Sequence, residues 1–183
     1  MKTELVLAES LKNLMSKESL DEISVKRLVE TCGIRRQTFY YHFRDIYDLL
    51  TWIFLNEKLE SKKVAETWQD AVRIVMKYVI KNKKFIQNTL SSAGRDLFVQ
   101  FIFSYLYSFT LKYFTKADEK NFVANDDKRF YVTYFASGIT HALLTWIDKG
   151  MKETEEKVIN NLQIVIGDYV LGIINRYKTM KKD

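Results

Sequence analysis

No proline occurs anywhere in the 183 residues, and only six are glycine. Proline removes a backbone donor and glycine weakens helices, so this scarcity favours long uninterrupted helices. Clusters of turn residues that would bound β-strands are equally scarce. Cys32 is the only cysteine, which excludes an intrachain disulfide and fits a reduced, intracellular setting. Between Thr31 and Gly33 it reads as a small residue tucked into a turn, and it has no second thiol to resolve an oxidised form. Two distant histidines and one thiol make no metal site. There is no glycine-rich phosphate loop and no serine in a nucleophile elbow, so no cofactor is expected and an enzyme has almost no support. The start, MKTELVLAESL, carries two glutamates, unlike a secretion signal. No apolar run approaches the length of a membrane span. Together these absences point to a cytoplasmic protein without a membrane partner.

What is present begins with charge. The chain carries a formal +6 and a pI near 9.2, which permits a polyanionic partner without demanding one. The distribution is more telling. From Ile23 to Arg44 there are five bases (Lys26, Arg27, Arg35, Arg36 and Arg44) against one acid, Glu30, whereas the preceding 22 residues hold three lysines and five acids. Positive charge is concentrated where a phosphate-binding footprint would need it.

That same stretch, SVKRLVETCGIRRQTFYYHFRDIYDLL over residues 24–50, reads as two short helices joined by a tight turn. Val25, Leu28 and Val29 share one face of a helix running from Ser24 to about Thr31. Ser24 is a good N-cap, and the amides it leaves exposed are suited to a phosphate. Cys32-Gly33-Ile34 supplies the turn, with Gly33 free to take a positive φ. The next helix, starting at Arg35, carries Gln37, Thr38, Tyr40, Tyr41 and His42 on a face too polar for packing. Phe39 and Phe43, four residues apart, form its core side. A helix-turn-helix with a basic, polar second helix is built to enter the major groove.

The hydrophobic content of 47% is enough for a genuine core. Leu5, Leu7, Ala8, Leu11, Leu14 and Met15 predict a first helix from about Thr3 to Met15. Asp45 caps a fourth helix that is expected to run through YDLLTWIFLNEKLESKK and connect the small N-terminal unit to the rest. Helices are predicted over about 68–82, 83–92 and 95–115, then over about 127–149 and 154–177, with TKADEKNFVANDDK as a loop. Phe101 to Phe109 alternates with period two, but length and the absence of flanking strands favour helix there. The expectation is an all-α protein of about nine helices. Residues 1–50 would form a three-helix helix-turn-helix DNA-binding domain, and residues 51–183 a helical ligand-binding and dimerisation domain.

The last two segments are apolar on more than one face, which suggests burial against both the domain and a second subunit. Phe135, Ile139, Leu143, Trp146, Leu162, Ile166, Tyr169, Val170 and Ile173 are the candidate dimer contacts. The aromatic segment 98–114 reads mainly as core, yet it could enclose a cavity whose tyrosine hydroxyls orient a small ligand. Candidate effector contacts are Phe101, Tyr105, Phe109 and His141, the last being equally readable as a core or interface histidine.

The residues ISVKRLVETCGIRRQTFYYHFRDIYDLL resemble the DNA-binding domain of TetR/AcrR-type bacterial transcription regulators. Thr38, Phe39, Tyr40, His42, Phe43, Leu49 and Leu50 fall in register with that family's signature. Within it, IRRQTFYYHF is similar to the subgroup that includes activators of dihydroxyacetone kinase operons. The resemblance covers about the first quarter of the chain. It implies phosphate contacts for Ser24 and Lys26, and base or phosphate contacts for Arg35, Arg36, Gln37 and Thr38. Tyr40, Tyr41 and His42 would complete the groove contacts, mostly to the backbone. Many relatives carry a phosphate-gripping lysine where this chain has Ile46, and Arg44 is the candidate substitute. Arg suits guanine bidentately and Gln suits adenine, in keeping with those roles.

The leading expectation is therefore a homodimeric regulator that binds double-stranded DNA at a palindromic operator. A small apolar or aromatic effector, or a protein co-activator, would control it through the C-terminal domain. The alternative is a helical protein–protein interaction module without specific DNA binding, in which the basic surface is incidental.

Overall fold

The computed structural model describes residues 2–57, 59 and 65–180, and among these every regular element is helical. The chain divides into two units, Met1–Leu59 with Tyr78–Phe101, and Glu60–Lys77 with Ile102–Asp183. Two of the three divisions, after Lys77 and after Phe101, fall inside helices, which therefore contribute to both units.

The first unit opens with α1 (Lys2–Met15), a single 3-10 turn at Leu20–Glu22, α2 (Val25–Cys32), α3 (Arg36–His42) and α4 (Ile46–Asn56). It also takes in the end of α5 (Trp68–Lys81), α6 (Lys83–Leu90) and the start of α7 (Arg95–Ala117). The stripe expected on α1 is buried from Leu7 to Met15, but Leu5 faces solvent. α1 packs against α2, α4 and α6, and α2 packs against α3. The fourth helix is shorter than its composition suggests. It ends at Asn56, where Glu57 turns extended, and the Glu57 carboxylate holds the Lys12 ammonium at 2.9 Å. The continuous connection expected through 63 stops there, and most of its remainder lies outside the described residues.

The second unit holds the rest of α5 and α7 with α8 (Asn125–Asp148), α9 (Glu155–Ile166) and α10 (Tyr169–Met180). Along α7 the aromatic alternation gives way to a four-residue repeat: Phe98, Ile102, Leu106, Thr110 and Phe114 are all buried. That stripe is the helix's core face, and no strand forms among the described residues. The loop between α7 and α8 shrinks to residues 118–124 because Asp118 organises it. Its carboxylate accepts the N–H groups of Phe122 (2.9 Å) and Val123 (3.2 Å) and lies 3.3 Å from Lys128 Nζ, a buried pair. Phe114, Val123, Val132, Ile173 and Ile174 cluster beside it.

The last long helix expected, 154–177, is divided at Gly167-Asp168 into α9 and α10. Over Glu155–Met180 the chain is also long and apolar enough for a membrane span, contrary to the sequence expectation. Only 22% of its most apolar 18-residue stretch is buried within the protein, and Asp168 sits near the middle of Glu155–Met180. A carboxylate there would be costly in hydrocarbon.

Candidate nucleic-acid interface and regulatory cavity

The α2–α3 turn is built locally. Ser24 Oγ accepts the Arg27 N–H at 3.2 Å and starts α2. Gly33 ends it in the left-handed region, with φ 66°. Both Gly33 N–H and Ile34 N–H close on the Val29 carbonyl, satisfying the helix end and aiming the chain into α3. Phe39 and Phe43 then anchor α3, fully buried and tilted toward each other at 6.0 Å.

Fixing that face inward turns the other outward. Arg35, Arg36, Gln37, Tyr40 and Tyr41 are exposed, Tyr41 by 85%, and Thr38 is half-buried at the edge. Ser24 and Lys26 are exposed at the start of α2. Arg36 leans on Tyr40, its guanidinium 5.5 Å from the ring centroid and 3.2 Å from the hydroxyl. This i,i+4 contact restrains a long side chain, which lowers the ordering cost of docking.

Two residues of the set sit differently. His42 is half-buried, and its Nδ1 lies 3.4 Å from Glu4 Oε1 on α1, with the Tyr41 ring edge-on at 5.1 Å. One side of its imidazole is thus engaged by the protein itself. Arg44 is exposed, but its backbone N–H donates to Asp48 Oδ2 at 3.0 Å and its Nε lies 3.6 Å from the same oxygen. Asp48 N–H in turn donates to the Asp45 carboxylate at 2.8 Å, the N-cap bond that starts α4. Ile46 is buried, so it makes no surface contact of any kind. Nothing local in the sequence marks Glu4, an acid on α1, as a neighbour of α3.

The second unit contains a cavity of about 240 Å³ between the start of α5, α7, α8 and the α9–α10 break. Of the four residues expected to form an effector site, the structure brings only Phe109 to it. Phe101 belongs to the first unit, packed with Phe54 (5.3 Å), Tyr78 and Phe98. His141 is exposed on α8, and Tyr105 is half-buried, its hydroxyl raised in pKa by that burial. The cavity instead draws on Trp68, Thr110, Tyr113, Asp168 and Tyr169, which no spacing in the sequence associates.

The expected dimer contacts are likewise redistributed. Phe135, Ile139, Leu143, Trp146 and Ile173 are buried within the protein's own core and have no surface to offer a partner. Trp146, for instance, donates its indole N–H to the Glu153 carbonyl at 3.0 Å, clamping the turn at Gly150. Leu162, Ile166, Tyr169 and Val170 are half-buried, whereas Ile164, Val165 and Leu171 stand exposed nearby.

Comparison with known proteins bears on both parts. Residues 9–51 match the model described as bacterial regulatory proteins, tetR family. Residues 66–168, more than half of the chain, match a model described as a transcriptional regulator C-terminal region, of TetR type. The chain belongs to the TetR family. It is a DNA-binding transcriptional regulator, with the helix-turn-helix in the part that the first model covers. The chain is 34% identical over 88 residues to the HTH-type dhaKLM operon transcriptional activator DhaS of Lactococcus lactis subsp. lactis (strain IL1403). The aligned part is 46% of this chain and 47% of that relative, so the match spans about half of the curated protein's length. A solved structure of a dihydroxyacetone kinase operon activator DhaS is similar at TM-score 0.67 and 26% identity, covering 90% of this TetR-family chain and 96% of that one.

Proposed function

We propose that this regulator acts in the cytoplasm as a homodimer on a palindromic operator, each subunit setting α3 into one of two successive major grooves. Residues 1–50 form the reading domain and residues 51–183 the regulatory and dimerising domain. Arg35, Arg36, Gln37 and Thr38 address base edges, while Ser24, Lys26, Tyr40, Tyr41, His42 and Arg44 address phosphates. The observation that carries this reading is the exposed Arg36–Tyr40 pair on a helix whose opposite side is pinned by Phe39 and Phe43.

The similarity to activators named for dihydroxyacetone kinase operons supports a target operon of that kind. A small molecule or a protein co-regulator at the C-terminal part supplies the control signal. Dimer contact falls to the exposed apolar residues of α9 and α10 around Ile164, Val165 and Leu171.

Fluorescence anisotropy with duplexes tiled upstream of the chain's own gene and its neighbours tests the reading. One duplex containing an inverted repeat is expected to bind with strong salt dependence. Arg36→Ala should weaken that complex by about tenfold to a hundredfold, the worth of one bidentate base contact. Salt-insensitive binding, or recovery of a protein partner from nuclease-treated extract with no duplex retained, would favour an interaction module instead.

A further inference from the structure

The cavity in the second unit has a lining with a definite electrostatic bias. Trp68, Phe109, Tyr113 and Tyr169 bring aromatic rings to it, Asp168 brings a carboxylate, and among the described residues no lysine, arginine or histidine lines it. Asp168 stands exposed in the break between α9 and α10, at the rim of the cavity, and among the described residues no cation pairs with it. Thr110, 7% exposed, adds a hydroxyl. At the α5 end, Gln69 and Gln163 are hydrogen-bonded at 2.8 Å.

Such a lining distinguishes ligands by charge. Aromatic faces attract cations, and the exposed carboxylate at the rim adds a solvent-screened attraction of the same sign. An anion would lose its hydration without gaining a positive partner among the described lining residues. A volume of about 240 Å³ falls just below the range usual for drug-sized ligands, so the fit is to a small molecule. We propose that this cavity is a binding site for a small organic cation, an ammonium carrying an aryl or similar apolar group. Asp168 pairs with its charge, and Trp68, Tyr113 and Tyr169 enclose its body. This deepens, and rests on, the reading of the C-terminal part as regulatory.

Three probes of one size separate the possibilities: phenethylammonium, phenethyl alcohol and phenylacetate, titrated into the full chain by calorimetry with tryptophan fluorescence in parallel. Phenethylammonium should bind tightest and phenylacetate weakest, with about tenfold or more between the two. Asp168→Asn should weaken phenethylammonium about tenfold while moving the alcohol by no more than about twofold, and Trp68→Phe should remove the fluorescence change. Equal binding of the three probes, no binding of any, or an unaltered ammonium affinity in Asp168→Asn would overturn the proposal. Should that variant fail to fold, the ranking in the unaltered protein decides. Operator binding in the same samples keeps the two readings apart. Intact DNA binding without cation preference removes only the cavity proposal. Cation binding that leaves operator affinity unchanged supports the site and removes its regulatory role.

Discussion

Tyr78 has a hydroxyl closed off from solvent and without a hydrogen-bond partner among the described residues. Burial raises its pKa well above the ordinary value, and the Glu57 carboxylate adds to the rise. In the unfolded chain the group titrates near 10. Above that pH the unfolded state holds fewer protons than the folded state, so stability declines as pH rises, while below about pH 10 this contribution is fully present. Tyr78→Phe is therefore expected to stabilise the protein by about 1 kcal/mol at neutral pH and to flatten the alkaline loss. Urea denaturation at pH 7 and at a pH above 10 checks both, and a variant less stable than the parent would contradict the packing described. At this scale the sequence was readable where a residue's role is set by its own helix. Phe39 and Phe43 had to be core because Arg36, Gln37 and Tyr40 occupy the other side. His42 was legible as a polar residue on α3, but its contact with Glu4 depends on how α1 crosses, which no local pattern encodes.

Among the elements, the α2–α3 turn depends most on one position. A Cβ at Gly33 would meet nothing within 4 Å, so any cost of replacing this glycine comes from its φ of 66° rather than from crowding. Gly33→Val should destabilise by about 1–2 kcal/mol, and Gly33→Asn by less, because asparagine tolerates the left-handed region. Both should also weaken operator binding in proportion to how far they re-aim α3. Thermal melts and anisotropy together check this, and equal stabilities for the two variants would sink it. The glycine turn, the Ser24 cap and the Asp45 cap were legible because each is a short-range hydrogen-bond arrangement. The end of α4 at Asn56 and the division of the last helix at Gly167-Asp168 were not. Helix-favouring residues resume beyond both: α4 ends where Glu57 turns extended, and α9 ends on Gly167 as its C-cap within a run that is apolar on either side.

For the molecule as a whole, the exposed apolar residues of α9 and α10 set the expected assembly. Ile164 is 85% and Val165 78% exposed, so replacing them leaves the protein's own core untouched. Val165→Glu should convert a dimer to folded monomers in sedimentation velocity. It should also cut affinity for the full palindrome about a hundredfold, with binding to a half-site little changed. A variant that stays dimeric would move the interface elsewhere. The sequence marked these segments as apolar on several faces and counted Phe135, Ile139, Leu143, Trp146 and Ile173, which the core takes, among the partner contacts beside the half-buried Leu162, Ile166, Tyr169 and Val170. Which side of a doubly apolar helix is covered depends on its neighbours, and periodicity alone is blind to that.

The order of residues alone settled an all-helical chain and a helix-turn-helix with a cationic outer face. Those follow from side-chain period, a missing proline and one glycine, all acting within a few residues of each other. Long-range packing settled the rest: where α4 stops, which aromatics line the cavity rather than the core, and which apolar residues remain outside. Trp68, Tyr113 and Asp168 are far apart along the chain, and only the folding of α5, α7 and the α9–α10 break beside one another makes them a single environment.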